Sequence, residues 1–95
     1  MLKLIDTIKQ EHCGMRAFAC AVFNLCLLAE GKMDAFAPFS TNLYDVGAGI
    51  VIIQEAGGKV TDIHGKPWRI DTKNYLFTNG KLHDRMLHFI KKADI

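Results

Sequence analysis

A chain of 95 residues suits one small domain whose core is adequate but not generous. Apolar residues make up 49% and charged residues 23%, an ordinary globular balance. The formal charge of +2 is spread along the chain with no basic stripe or aromatic–basic interleaving, so no nucleic-acid partner is expected. Cys13, Cys20 and Cys26 are odd in number and lack CxxC spacing, which fits buried free thiols in a reducing compartment. The opening MLKLIDTIKQ carries Lys3, Asp6 and Lys9 and does not read as a signal peptide. The longest apolar run, Ala17 to Ala29, is broken by Asn24 and falls short of the ~20 residues that span a bilayer. A cytoplasmic domain with no membrane partner is the expectation.

Taken in order, Leu2 to Gln10 places Leu4, Ile5 and Ile8 at helical spacing and predicts a short amphipathic helix. His12 to Met15 is a break with Gly14 as its hinge, where a brief extended segment also fits. Arg16 to Glu30 predicts a helix that is apolar nearly all round, and Gly31 ends it. Met33 to Ala37 predicts a short strand, and Pro38 to Leu43 a polar loop.

The stretch Tyr44 to Gly58, YDVGAGIVIIQEAGG, organises the rest. It predicts a helix that opens on Asp45, where unpaired N–H groups and the helix dipole favour negative charge. Gly47, Ala48 and Gly49 leave its first turns smooth enough for close approach. Ile50 to Ile53 are bulky and apolar, and Gly57-Gly58 supplies the stop.

Lys59 to Ile63 alternates as a β-branched strand with His64-Gly65 as its turn, and Lys66 to Trp68 fits a second short strand pairing back. Ile70 to Asn74 reads as a loop and Tyr75 to Thr78 as a strand. Asn79 is placed to cap a last helix, Lys81 to Lys92, with Leu82, Met86, Phe89 and Ile90 inward. With no repeats and no linker, residues 1–95 read as one domain. Helices alternating with strands predict an α/β fold: a small mixed sheet of roughly three to five strands flanked by helices.

The stretch YDVGAGIVIIQEAGGKVTD resembles the C-terminal signature of the inositol monophosphatase family, the magnesium-dependent, lithium-sensitive sugar and inositol phosphatases that include fructose-1,6-bisphosphatase-like members. Upstream, Arg16, the small run Ala19-Cys20-Ala21, Asn24, Ala29, Gly31 and Asp34-Ala35-Phe36 fit the family's buried helix and following strand. Downstream, Gly65-Lys66-Pro67-Trp68 and the Asn79 region fit its turn and last strand-to-helix junction. The resemblance covers about residues 12–92 and only the C-terminal part of a family member. It implies that Asp45 is a ligand of a catalytic Mg²⁺ and that the small turn Ala19, Cys20, Ala21 lies on the substrate side. Two departures stand out: Ala19 and Cys20 replace the usual Gly and Ser or Thr, and Tyr44 the usual Trp. Pro38 stands where inositol phosphatases often carry a carboxylate.

The family's other metal ligands come from an upstream glutamate and an Asp-Pro-Ile-Asp-Gly-Thr-type loop. This sequence has neither; its two prolines, Pro38 and Pro67, do not follow Asp. Magnesium-dependent ester hydrolysis calls for several carboxylates around the ions, so the chain alone is expected to be inactive and to hold Mg²⁺ weakly. Whether it acts as an enzyme in an assembly is left open: a partner chain could bring the missing motifs, or copies could pool Asp45. A non-enzymatic sugar- or phosphate-binding module is the third alternative. Apolar surface and a bare strand edge left by a missing upstream sheet predict a homo-oligomer. The plain alternative for Asp45 is a helix-dipole carboxylate, for Arg16 a solvated or ion-paired arginine, and for Cys20 a packed small residue. Glu55 reads as structural and Asn24 as a satisfied core amide, while His12, His64, His83 and His88 are expected at the surface.

Overall fold

A computed structural model describes residues 21–38, 41 and 43–93. The elements predicted over Leu2–Gln10 and His12–Met15, and residues 16–20 of the next helix, lie outside the described residues. Within them the order is α1 (Ala21–Ala29), β1 (Ala35–Phe36), α2 (Leu43–Glu55), β2 (Lys59–Asp62), β3 (Tyr75–Thr78) and α3 (His83–Lys92).

Both long apolar helices end where the glycines stood in the sequence. Lys32 N–H donates to Leu27 O and Gly31 N–H to Leu28 O; Gly58 N–H donates to Ile53 O and Gly57 N–H to Gln54 O. These paired 6→1 and 5→2 bonds satisfy the last carbonyls and require a left-handed residue, found at Gly31 (φ 80°) and Gly57 (φ 85°).

The sheet order is β1–β3–β2, and both ladders are antiparallel, pairing Phe36 with Phe77 and Val60 with Phe77. The expected mixed pairing is therefore replaced, among the described strands, by a purely antiparallel one. The reason is topological: β1 and β2, joined through α2, run the same way, but β3 slots between them and pairs with each. Parallel neighbours need direct contact after a crossover, and β3 denies it. Three shorter corrections follow. The predicted strand 33–37 narrows to a two-residue ladder, prolonged by Asn79 N–H to Asp34 O and Tyr75 N–H to Pro38 O. Lys66 to Trp68 forms no strand; its one backbone bond to β2, from Asp62 N–H to Lys66 O, belongs to a turn that Gly65 N–H to Asp62 O and the Asp62 carboxylate also hold. The last helix begins at His83, and Asn79 Oδ1 accepts from Lys81 and Leu82 N–H, capping the turn ahead of the helix rather than the helix itself.

Side-chain alternation along β2 and β3 divides the interior in two. Tyr75, Phe77 and Val60 face α1 and α2, where they pack with Leu25, Leu28, Val46, Ile50 and Ile53. Leu76 and Ile63 face α3 and pack with Phe89, Ile90 and Ala93. The result is helices on both faces of one small sheet, the α/β layering expected. Among the described residues no helix is long and apolar enough to cross a membrane.

Candidate functional site

Asp45 lies in the first turn of α2 and is exposed. Its placement follows from the segment before it, which is tied along β3 and then by Thr41 N–H to Lys73 O at 2.8 Å. From there α2 buries Val46, Ile50 and Ile53, three positions on one helical face, in the larger core cluster. Asp45, one residue ahead of the first anchor, is turned away from the core towards solvent. A helix anchored by one buried face thus carries a carboxylate at the end where unpaired N–H groups favour anions.

One carboxylate does not make a magnesium centre. Among the described residues no group of three His, Cys, Asp or Glu side chains is placed to hold a metal ion. Mg²⁺ demands octahedral oxygen ligation and gives up its water reluctantly, so the residues present do not fit the ion on their own. Two cavities among the described residues lie elsewhere. One, of about 130 Å³, sits at the opposite ends of α1 and α2 between Leu28, Ile53, Gly58 and Thr78. The other, an open groove of about 500 Å³, runs between His64 and the Asp84–Lys91 side of α3. Neither is lined by Asp45. Of the substrate-side expectations, Ala19 and Cys20 lie outside the described residues, as does the side chain of Ala21, whose backbone is part of α1. Arg16 and His12 are likewise outside.

His83 was expected at the surface and is buried, 1% exposed. Its Nε2 lies 2.7 Å from Thr61 Oγ1 and its Nδ1 2.9 Å from Thr78 Oγ1, so both ring nitrogens are satisfied inside the protein. Burial pushes the imidazole below its usual range; Lys59 lowers it further and Asp84 opposes. The sequence held a signal for this: His83, Met86 and Ile90 share one helical face by spacing, and that periodicity outranks the polarity of the ring. His64 and His88 are exposed as expected. Asn24 is buried in α1, and Cys26 is a half-buried free thiol. Glu55 ends α2 exposed.

The profile of the inositol monophosphatase family matches residues 2–94. The chain belongs to that family. The match runs upstream of residue 12, where the motif-level likeness began, to nearly the start of the chain. Relatives of the inositol monophosphatase family include the fructose-1,6-bisphosphatase/inositol-1-monophosphatase of Thermotoga maritima, 32% identical over 91 residues, covering 96% of this chain and 36% of that protein. The inositol-1-monophosphatase of Caulobacter vibrioides is 36% identical over 93 residues, covering 97% of this chain and 36% of the relative. Among solved structures, the extragenic suppressor protein SuhB of Bartonella henselae superposes with a TM-score of 0.89 at 31% identity, over 96% of this chain and 35% of that one. The chain spans about a third of the length of the curated relatives it matches. The family fold is therefore present as one portion, and Asp45 opens that portion's central helix.

Proposed function

We propose that this chain is a phosphatase-family unit that supplies one metal-ligating carboxylate, Asp45, and does not hydrolyse phosphate esters by itself. The observation that carries this reading is the isolation of Asp45: it is exposed at the start of a well-anchored helix, with no metal-competent cluster among the described residues. A divalent ion that activates water and stabilises a leaving oxygen must be held by more oxygen ligands than one side chain offers. The span of about a third of its relatives' length supports the same reading. Within it, α2 holds the carboxylate at the helix end that favours negative charge, while the remaining ligands come from elsewhere.

A second reading is favoured by the outward side of α2. Val51 and Ile52 are 59% and 40% exposed, and exposed Ala48 lies on the same side towards Asp45. A polypeptide carrying the missing carboxylates, or a second copy of this chain, seated on that side would cover apolar surface and reach Asp45 in one contact. The assembly would then be the Mg²⁺-dependent phosphatase.

Calorimetric titration of Mg²⁺, and of Mn²⁺ as a tighter-binding substitute, into the chain and into Asp45→Asn separates the two. The first reading expects only weak heat, equal in both proteins. Micromolar binding that disappears in Asp45→Asn would overturn it in favour of assembled copies. Sedimentation of the same samples gives the oligomeric state directly.

A further inference from the structure

The two threonines that flank His83 make a proton count possible. Each hydroxyl has one proton to donate. Thr61 Oγ1–H donates to the Asp62 carbonyl at 2.7 Å, so at its contact with His83 it can only accept, and Nε2 carries the ring proton. Thr78 Oγ1 accepts from Gly80 N–H at 3.0 Å, which leaves its own proton for Nδ1. One directed chain results: Gly80 N–H to Thr78, Thr78 O–H to Nδ1, Nε2–H to Thr61, Thr61 O–H to Asp62 O. It is complete only when the ring is neutral with its proton on Nε2.

The chain joins three elements. Thr61 is on β2, Thr78 closes β3, and His83 is the first residue of α3. The helix has no side-chain N-cap of its own, so this clasp, together with the Asn79 Oδ1 bonds to Lys81 and Leu82 N–H, fastens its start to the sheet. A proton added at Nδ1 would set donor against donor at Thr78 and place a charge where the ring is 1% exposed. The surroundings do little to compensate. β2 presents Lys59, paired directly across from Thr78, and β3 presents Leu76 and Thr78 on that face without a charge. The turn before α3 carries exposed Lys81, and α3 offers a single carboxylate, exposed Asp84.

We propose that His83 is a proton-operated clasp: protonation of Nδ1 breaks the Gly80–Thr78–His83–Thr61 chain and releases the start of α3 from the sheet. This goes beyond the phosphatase reading and does not depend on Asp45 or on metal. The sign follows from the lowered imidazole in the folded chain. Released or unfolded chain takes up the proton first, so the stability owed to neutral His83 is full above the ordinary imidazole value of about 6.5 and falls as pH drops below it, towards the folded-state value.

The test is an NMR pH titration of the full chain, following the His ring Cε1–H signals and amide exchange in α3. The expected result is a His83 midpoint below the ordinary imidazole value of about 6.5. Protection of the Leu87 to Ile90 amides, corrected for intrinsic exchange, should fall several-fold, up to about tenfold, between pH 7.5 and 5.5. In His83→Gln, whose amide can accept from Thr78 and donate to Thr61 without titrating, protection should stay flat over that range. A His83 midpoint at or above about 6.5 overturns the proposal. So does protection that ignores pH while His83 titrates, or that falls equally in His83→Gln. Should the variant not fold, the wild-type titration alone decides.

Discussion

Gly49 on α2 lies against Leu25 on α1 so closely that a Cβ at position 49 would overlap Leu25 Cδ1, with two more atoms of that side chain at 3.1 and 3.2 Å. Leu25 is fully buried in the larger core cluster. Alanine in a helix interior gains about 1 kcal/mol over glycine, whereas overpacking a core costs about 1–3 kcal/mol. The overlap wins because the Leu25 side chain, Cβ and Cγ included, is packed in the core. Gly49→Ala is expected to lose up to about 2 kcal/mol in urea unfolding, and in a Leu25→Ala background the same change should cost nothing or stabilise. A higher urea midpoint for Gly49→Ala alone would contradict the contact.

The Tyr75 hydroxyl is buried, and among the described residues it has no hydrogen-bond partner. An unsatisfied buried hydroxyl carries a desolvation cost of about 1–3 kcal/mol. Tyr75→Phe removes that cost and keeps the ring stacked with Phe77 at 5.7 Å, so unfolding should show unchanged or greater stability. Burial, helped by Asp71, raises the phenol above its ordinary range. The unfolded chain therefore gives up the proton first, and stability should fall as pH rises through about 10 and beyond. That component of the alkaline loss should vanish in Tyr75→Phe.

Asp62 closes the turn after β2 with one oxygen. Its Oδ1 accepts from His64 N–H at 2.8 Å and from Lys66 N–H at 2.9 Å. Asp62→Ala should cost about 1–2 kcal/mol and speed amide exchange at His64 and Lys66. Asp62→Asn keeps an acceptor oxygen in place and should retain most of the stability. Equal losses in the two variants would mean that the charge, not the turn geometry, matters.

Val51 and Val46 are five residues apart on α2 and differ completely in setting: 59% exposed against fully buried. Val51→Lys should leave the urea midpoint within about 0.5 kcal/mol of the parent, as surface changes do. Val46→Lys should prevent folding, because it buries an unpaired ammonium. If the outward side of α2 is where copies meet, Val51→Lys also shifts sedimentation towards monomer while the fold is kept.

Much of this was legible in the chain. Gly31 and Gly57 stop their helices as read, because a left-handed residue is a local demand that few side chains meet. The strands Lys59–Asp62 and Tyr75–Thr78 follow β-branched and aromatic runs, and Asp45 at the head of α2 follows from the motif in which it stands. Asn79 illustrates the boundary: its side chain does cap, but it caps the turn before the helix, since helix start signals fix the neighbourhood better than the residue.

The sequence by itself determined the family, the order of helices and strands, the glycine stops and the carboxylate that heads α2. All are set by residues near one another in the chain, where periodicity and backbone preference act directly. Only the tertiary structure decided that β3 lies between β1 and β2, so that every described ladder is antiparallel. It alone also decided which hydroxyls hold His83 in the core. One of its partners, Thr61, is 22 residues away, and no local pattern states which distant hydroxyl will make burying an imidazole affordable.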